Sequence, residues 1–153
     1  MSAAPSTAST ARVCVDASLV VALLAPERFS QLAISLWEAW VTAAYTITAP
    51  RLLCYEVTAA LYRKAFQGLI SWEDEQAILN QFINLDIDWD EPTGLPVRAS
   101  ELARVFQRPN TYDAFYLAQA EILGCPLWTA DERLYNAVRG RFSLIHWLGQ
   151  SAS

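Results

Sequence analysis

Four acidic residues stand where a purely structural residue would seldom be acidic. Asp16 follows the β-branched run 12–15, and Asp131 comes just past the apolar run 126–128, so each lies at the end of a predicted strand. Glu56 and Asp113 lie within the apolar stripes of two predicted helices, where charges are unfavourable. Four acids at the entrances of four elements, with few basic residues beside them, predict one shared acidic pocket.

Such a pocket requires a counter-charge. Two carboxylates 4 Å apart repel each other by about 4 kcal/mol at an effective dielectric constant near 20. Protons or a divalent cation would relieve this repulsion, and carboxylate oxygens suit Mg²⁺ or Mn²⁺. A bound divalent cation would lower the pKa of bound water and neutralise charge that develops on a phosphodiester, so it could generate a nucleophile without a histidine. His146 is the only histidine and lies in a predicted strand without a partner, so a histidine base is not expected.

Each acid taken alone also has a structural explanation. Asp131 could cap the helix that follows it, Asp16 could cap the short helix after it, and Asp113 could complement its helix dipole. Each such contribution is about 1 kcal/mol or less. Glu56 could extend its carboxylate towards solvent or pair with a basic residue. Taken singly, the structural explanation is favoured for all of these acids except Asp16. The convergence of the four favours a functional site.

The elements that would position these acids alternate between strand and helix. Strands separated by helices predict a parallel sheet covered on both faces, and hence an α/β protein. Functional groups of such sheets gather beyond the carboxyl ends of the strands, where the strand order reverses. Five runs have the composition of strands, namely residues 12–16, 45–48, 85–89, 126–130 and 142–148.

Length and composition fit a single domain. The chain has 153 residues, of which 54% are hydrophobic and 18% charged, a balance typical of a protein with a well-filled core. We predict one domain over residues 12–150, after a small, polar and disordered tail at 1–11. The apolar run 19–25 is seven residues long, and no run approaches the roughly 20 needed to cross a bilayer. A cytoplasmic protein without a membrane segment is expected.

The charge distribution leaves nucleic-acid binding open despite a net charge of −5. Seven of the sixteen acids lie between Glu73 and Glu91, and the remaining nine face eleven Lys and Arg residues. Most surface arginines are merely solvated, yet some basic residues near the four acids in sequence could contact phosphates. These candidates are Arg51, Arg63, Lys64, Arg108 and Arg133.

The cysteines indicate neither a disulfide framework nor a zinc site. Cys14, Cys54 and Cys125 are odd in number and widely spaced, and none forms a C-x-x-C pair. All three lie in apolar sequence surroundings. We therefore predict that they are buried structural thiols.

A family resemblance is carried by the segments VCVDASLVVALL, LLCYEVTAAL, TYDAFYLAQAEILGCPLWTADERL and FSLIHWL. Together they resemble PIN-domain proteins and, within these, the VapC-like toxins of bacterial toxin–antitoxin pairs. The resemblance covers roughly residues 12 to 148. The run from Asp113 to Leu134 is its most specific part, because acid, helix, strand and the triplet T-A-D follow in one fixed register.

This resemblance implies a three-layer α/β/α fold with a five-stranded parallel sheet in the order 3-2-1-4-5. It also implies a ribonuclease that depends on Mg²⁺ or Mn²⁺. The family's acidic quartet maps onto Asp16, Glu56, Asp113 and Asp131, and its small hydroxyl residue maps onto Thr129. The three aspartates would hold the ion directly or through water, and Glu56 would complete the pocket or bind a second ion.

The resemblance extends to reaction and partners. It implies that water attacks phosphorus in line and that RNA cleavage leaves a 5′-phosphate and a 3′-hydroxyl. Thr129 lies on the same side of its strand as Asp131, so its hydroxyl could orient a carboxylate or a water molecule. Ser18 stands where the family often carries Ser or Thr, although a helix-capping role would explain it as well. A homodimer and a small antitoxin that lies across the acidic site are the implied protein partners.

Phosphoryl-transfer proteins also carry an aspartate directly after the first strand. Haloacid-dehalogenase-like phosphatases carry a second aspartate two residues after the first, where this chain has Ser18. Receiver domains use a lysine late in the sheet, whereas the only lysine, Lys64, lies on an early helix. A catalytically inactive PIN-like domain that binds protein or RNA is the remaining alternative. The intact acidic quartet argues against it, because an inactive site would have no reason to keep four acids that repel one another.

Overall fold

A parallel sheet lies at the centre of the structure, a computed structural model that describes residues 11–152. Its four strands are β1 (Arg12–Val15), β2 (Thr46–Thr48), β3 (Leu127–Thr129) and β4 (Ile145–Trp147). They have the order β2-β1-β3-β4, and their parallel pairing confirms the predicted α/β class. Because β1 pairs with both β2 and β3, Cys14 lies opposite Thr48 and Val15 lies opposite Trp128.

The predicted strand at 85–89 is reduced to one bridge. Asp88 pairs in parallel with Thr48 at the outer side of β2, the place that the predicted order 3-2-1-4-5 assigns to a third strand. Asp88 N donates to Ile47 O at 2.8 Å, and its own carboxylate accepts from Asp90 N at 3.0 Å. This side-chain bond offers the backbone of Asp90 an alternative to a ladder bond, and the pairing consists of a single bridge.

Seven α-helices flank the sheet, and a 3₁₀ helix at Leu148–Ala152 follows β4 among the described residues. The helices are α1 (Ala17–Leu24), α2 (Ser30–Thr42), α3 (Leu52–Phe66), α4 (Trp72–Ile83), α5 (Leu95–Val105), α6 (Tyr112–Leu123) and α7 (Glu132–Val138). Local residues fix two of their ends. Ser71 Oγ accepts from Asp74 N at 2.9 Å at the start of α4, and Gly124 ends α6 in the left-handed region at φ 65°.

Aromatic side chains fill one part of the core. Trp37 and Trp40 of α2 are buried, with ring centroids 6.0 Å apart, and Trp40 contacts Trp128 of β3 at 6.4 Å. These tryptophans therefore serve core packing, as their helical spacing indicates. His146 lies in β4, where its ring stacks on that of Trp128 with centroids 5.0 Å apart, and it has no acidic partner among residues 11–150.

Residues 1–10 of the predicted tail lie outside the described residues, and Ala11 O accepts a hydrogen bond from Thr46 N at 2.8 Å.

The prediction of three buried cysteines holds for two of them. Cys14 and Cys125 are buried, but the prediction that Cys54 is buried is wrong. Cys54 follows the core residue Leu53 on α3, so the helical rotation turns its thiol to solvent. Among the helices of residues 11–152, none is long and apolar enough to span a membrane.

Candidate active site

The four acids line one cavity of about 870 Å³. The sheet order explains the convergence, because β1 and β3 are parallel neighbours whose carboxyl ends lie at the same edge. Asp16 follows β1, and Asp131 comes two residues after β3. Glu56 reaches the cavity from α3, and Asp113 reaches it from the first turn of α6.

Asp16 is the most buried of the four, with 5% of its surface exposed. It is the N-cap of α1 and accepts from Leu19 N at 3.0 Å. Two hydroxyls also donate to its carboxylate, Ser18 Oγ at 2.7 Å and Thr129 Oγ1 at 2.5 Å. Burial raises the pKa of Asp16 to about 7, and the charge of Asp113 adds to this rise, whereas the three hydrogen bonds oppose it.

A pair of hydroxyls joins α1 to the turn between β3 and α7. Ser18 Oγ accepts from Ala130 N at 2.9 Å, and Thr129 Oγ1 accepts from Asp131 N at 2.9 Å. The two hydroxyl oxygens are 3.1 Å apart. Thr129 thus orients a carboxylate, but the carboxylate it contacts is that of Asp16 rather than that of Asp131.

Asp131 has the capping role that its position allows. Its Oδ1 accepts from Arg133 N at 2.9 Å and from Leu134 N at 3.2 Å, so Asp131 is the N-cap of α7. The side chain lines the cavity at the same time. Both bonds end on Oδ1, and within the described part of the chain no hydrogen bond ends on Oδ2.

Glu56 is held by a tyrosine that the sequence analysis did not assign to the site. Tyr116 Oη donates to Glu56 Oε1 at 2.5 Å, where a basic partner had been considered. Burial raises the pKa of Glu56 and Asp113 adds to it, while the Tyr116 bond and Arg63 act in the opposite direction. Burial and the neighbouring carboxylate also raise the pKa of Tyr116. Its signal in the sequence is a phenol three residues after Asp113, on the same helical face.

The charge of Asp113 raises the pKa of two other acids of the cavity, Asp16 and Glu56. It forms an ion pair with Arg108 Nη2 at 3.1 Å, contributed by the turn before α6. Within residues 11–152, no three His, Cys, Asp or Glu side chains are close enough together to hold one metal ion. The acids share a cavity, and each is bound to its own protein partner.

The predicted phosphate-binding residues separate into two groups. Arg63 and Lys64 of α3 line the cavity, and Lys64 Nζ pairs with Glu27 at 2.5 Å. Arg28, which the sequence analysis did not consider, lines it too. Arg108 contacts Asp113 at the cavity edge, whereas Arg51 and Arg133 are not among the lining residues.

Stability should depend on pH through Asp16. Its folded-state pKa is raised from 3.8 to about 7, so the folded protein retains a proton that the unfolded chain releases. The free energy of unfolding attributable to this group should therefore fall as pH rises from about 4 to 7, by at most about 4 kcal/mol, and level off above that. Urea unfolding in EDTA, compared between wild type and Asp16→Asn, isolates this contribution. Parallel pH profiles for the two proteins would contradict it.

Thr129 is fully buried, so removal of its hydroxyl should be costly. Thr129→Val keeps the shape but leaves Asp131 N without an acceptor and removes one donor from Asp16. The free energy of unfolding should fall by about 1–3 kcal/mol. Thr129→Ser is the matched control and should recover most of that loss in chemical denaturation. Equal stability of the Val variant and wild type would show that the hydroxyl contributes nothing.

Comparison with known proteins places the chain in a family. A model of the PIN domain matches residues 13–140. Ribonuclease VapC3 of Pyrobaculum aerophilum is 31% identical over 130 residues, which are 80% of this chain and 92% of the relative.

Solved structures share the fold at low sequence identity. VapBC2 from Rickettsia felis, bound to a DNA fragment from their promoter, superposes with a TM-score of 0.65 at 11% identity, covering 88% of this chain and 97% of that one. VapC20 of Mycobacterium tuberculosis, a sarcin-ricin loop cleaving toxin, has a TM-score of 0.63 at 18% identity, covering 82% of this chain and 95% of that one. Since the family model spans most of the sequence and a curated relative matches over nearly its whole length, this chain belongs to the PIN-domain family.

Proposed function

We propose that this PIN-domain protein is a ribonuclease of the VapC type, which hydrolyses RNA phosphodiester bonds as the toxin of a toxin–antitoxin pair. The observation that carries the proposal is the convergence of Asp16, Glu56, Asp113 and Asp131 on one cavity. A 31% identical relative that matches over 92% of its own length is a ribonuclease, which supports the same activity here.

A divalent cation, Mg²⁺ or Mn²⁺, is part of this proposal. The donor set suits such an ion, since carboxylate oxygens are the ligands it prefers. The repulsion between Asp113 and both Asp16 and Glu56 is what a cation would relieve. Because no three acids of the described residues lie close enough to bind one ion directly, Asp16, Asp113 and Asp131 would hold it in part through water molecules. Glu56 would complete the pocket or hold a second ion. When bound, the ion would activate water and neutralise charge on the scissile phosphate.

The remaining polar residues would position the acids and the RNA backbone. Ser18 and Thr129 fix the carboxylate of Asp16, so its orientation would be set before a ligand arrives. Tyr116 does the same for Glu56. Arg63 lines the cavity and forms no ion pair with another described residue. Its guanidinium group would bind a phosphate of the substrate.

The proposal includes two protein partners. A toxin of this type would be neutralised by a cognate antitoxin with a segment across the acidic cavity, and VapBC2 from Rickettsia felis shares the fold. A homodimer is the assembly expected from the family resemblance. Growth after expression of the chain alone, compared with co-expression of its neighbouring gene, tests the antitoxin partnership.

Cleavage by the purified protein tests the activity. Unstructured RNA should be cut with added Mg²⁺ or Mn²⁺ but not with EDTA, and mapping of the product ends should find 5′-phosphates. Asp86→Asn changes an exposed acid outside the cavity and is the matched control. RNA that is bound but never cut under any divalent cation would instead identify a catalytically inactive binding module.

A further inference from the structure

One of the four cavity acids is paired with a full positive charge. Asp16 and Glu56 accept hydrogen bonds from hydroxyl groups, and Asp131 accepts from backbone amides. Asp113 is instead bound by the guanidinium group of Arg108, with 3.1 Å between Nη2 and Oδ2. Within the described part of the chain, this is the only ion pair that the four acids form. The protein itself therefore neutralises part of the charge of Asp113.

The turn before α6 places Arg108 beside Asp113 at a cost to the fold. Gln107 adopts the left-handed region at φ 51°, which is unfavourable for a residue with a side chain. Arg108 N donates to Ala103 O at 2.8 Å, so its backbone is fixed against α5. Its Nε is buried without a hydrogen-bond partner among residues 11–150, which is also unfavourable. Because a partly exposed ion pair contributes little to stability, stability alone does not explain this arrangement.

The position of Arg108 bears on how the cavity binds a cation. Asp113 lines the cavity and Arg108 does not, so the guanidinium group contacts the carboxylate without filling the space for a ligand. Its positive charge attracts the negative charge that a cation would use, and it repels the cation itself. Only 25% of the Arg108 side chain is exposed, so solvent ions screen this effect incompletely. Loss of the charge should therefore strengthen the binding of a divalent cation.

The same charge bears on how the acids coexist before an ion arrives. Asp113 raises the pKa of both Asp16 and Glu56, so the carboxylates repel one another across the cavity. Arg108 offsets part of that repulsion, because it lies within hydrogen-bond distance of the acid that causes it. A cation and Arg108 are thus alternative means of neutralising the same group.

We propose that Arg108 is a resident counter-charge of Asp113, which competes with the divalent cation and sets the ion concentration at which the cavity fills. This inference rests on the cation site of the proposed function and assigns Arg108 a positioning role that acts through Asp113. Arg108 thus acts on the ion by way of a carboxylate, and not on a phosphate of the RNA.

Calorimetric titration of the metal-free protein with MnCl₂, without RNA, measures the Kd of the ion directly. Arg108→Gln keeps a side-chain N–H donor but removes the charge, so its Kd should be about 5- to 50-fold lower than that of wild type. Melting temperatures give a second readout. In EDTA, Arg108→Gln should melt below wild type because the acids repel one another without the counter-charge. In saturating MnCl₂ this difference should disappear, since the variant binds the ion more tightly.

Two variants separate the charge of Arg108 from its other properties. Arg108→Lys keeps the positive charge and should bind Mn²⁺ within about twofold of wild type. Arg141→Gln removes an exposed charge outside the cavity and should also stay within about twofold, which controls for net charge. Where RNA is cut, the Mn²⁺ concentration for half-maximal cleavage should fall in Arg108→Gln by the same factor as the Kd.

The possible results are distinguishable. An unchanged or weaker Kd in Arg108→Gln would overturn the inference, and so would equal tightening in Arg108→Lys, because the charge would then not be the cause. If Mn²⁺ binds as expected but no RNA is cut, the proposed ribonuclease function fails and the counter-charge role stands. If wild type binds no Mn²⁺, Arg108→Gln should still bind it. Absence of binding in both proteins would end the inference.

Discussion

Asp16→Asn should reduce RNA cleavage by about a thousandfold or more while leaving the fold intact. The loss follows because the proposed cation provides several kcal/mol of charge stabilisation, and an amide holds it far less well than a carboxylate. Asn can still accept from Leu19 N and Ser18 Oγ. It also removes a buried charge, so metal-free stability at pH 8 should equal or exceed that of wild type. Cleavage assays and thermal melting in EDTA measure the two effects.

Asp113→Asn should also abolish cleavage, but its effect on activity is harder to separate from an effect on stability. The substitution removes the partner of Arg108, so a small loss of stability can accompany the loss of activity. Asp86→Asn should cleave as wild type, since Asp86 is exposed and outside the cavity. Retained cleavage in both Asp16→Asn and Asp113→Asn would refute the assignment of the acidic cavity as the catalytic site.

Saturating Mg²⁺ or Mn²⁺ should raise the melting temperature by about 5–10 °C. An ion at one hundred times its Kd stabilises the folded state by about 2.7 kcal/mol, and a domain of this size gains about 2–4 °C per kcal/mol. The shift should be larger at pH 8 than at pH 6, because the pKa of Asp16 is raised to about 7 and a proton competes with the ion. Differential scanning fluorimetry over a titration of each salt measures it.

A double variant, Asp16→Asn with Asp113→Asn, is the control for this stabilisation. It should lose the shift, and NaCl at equal ionic strength should give none in either protein. If neither ion changes the wild-type melting temperature although RNA is cut, the acids act without a stabilising cation. An equal shift in the double variant would place the ion elsewhere on the chain.

The fold could be predicted from periodicity because its elements differ strongly in pattern. Short β-branched runs and capped apolar helices alternate, which indicates a parallel α/β sheet without further information. The strand at 85–89 was overestimated for a local reason. Alternation in LDIDW is typical of a strand, yet the carboxylate of Asp88 bonds to Asp90 N and ends the pairing after one bridge. The alternation of polar and apolar residues does not show whether a side chain will compete with the neighbouring strand for a backbone hydrogen bond.

The candidate site was predicted at the level of residues but not of their contacts. Acids at strand ends and in apolar stripes could be recognised as one set, because a parallel sheet brings those positions to one edge. Their partners depend on side-chain directions that spacing does not specify. Thr129 contacts Asp16, Tyr116 holds Glu56, and none of these pairs is close in sequence. The burial of Cys54 was mispredicted for the same reason. Cys54 is the next residue after the core residue Leu53, and the rotation of the helix between the two positions turns its side chain away from the core.

The bridge at Asp88 bears on how copies of this protein can meet. Beyond the bridge, Arg51 N donates to a carboxylate oxygen of Glu91 at 2.8 Å, so residues 88–91 cover the outer side of β2 without adding a strand. An open edge would offer unpaired amides to a neighbouring molecule and invite edge-to-edge aggregation. Asp88 already bonds to Ile47 O and to Ala49 N on this side, so a second copy would have to displace it in order to extend the sheet there. A dimer that keeps this bridge would therefore use side chains on that side.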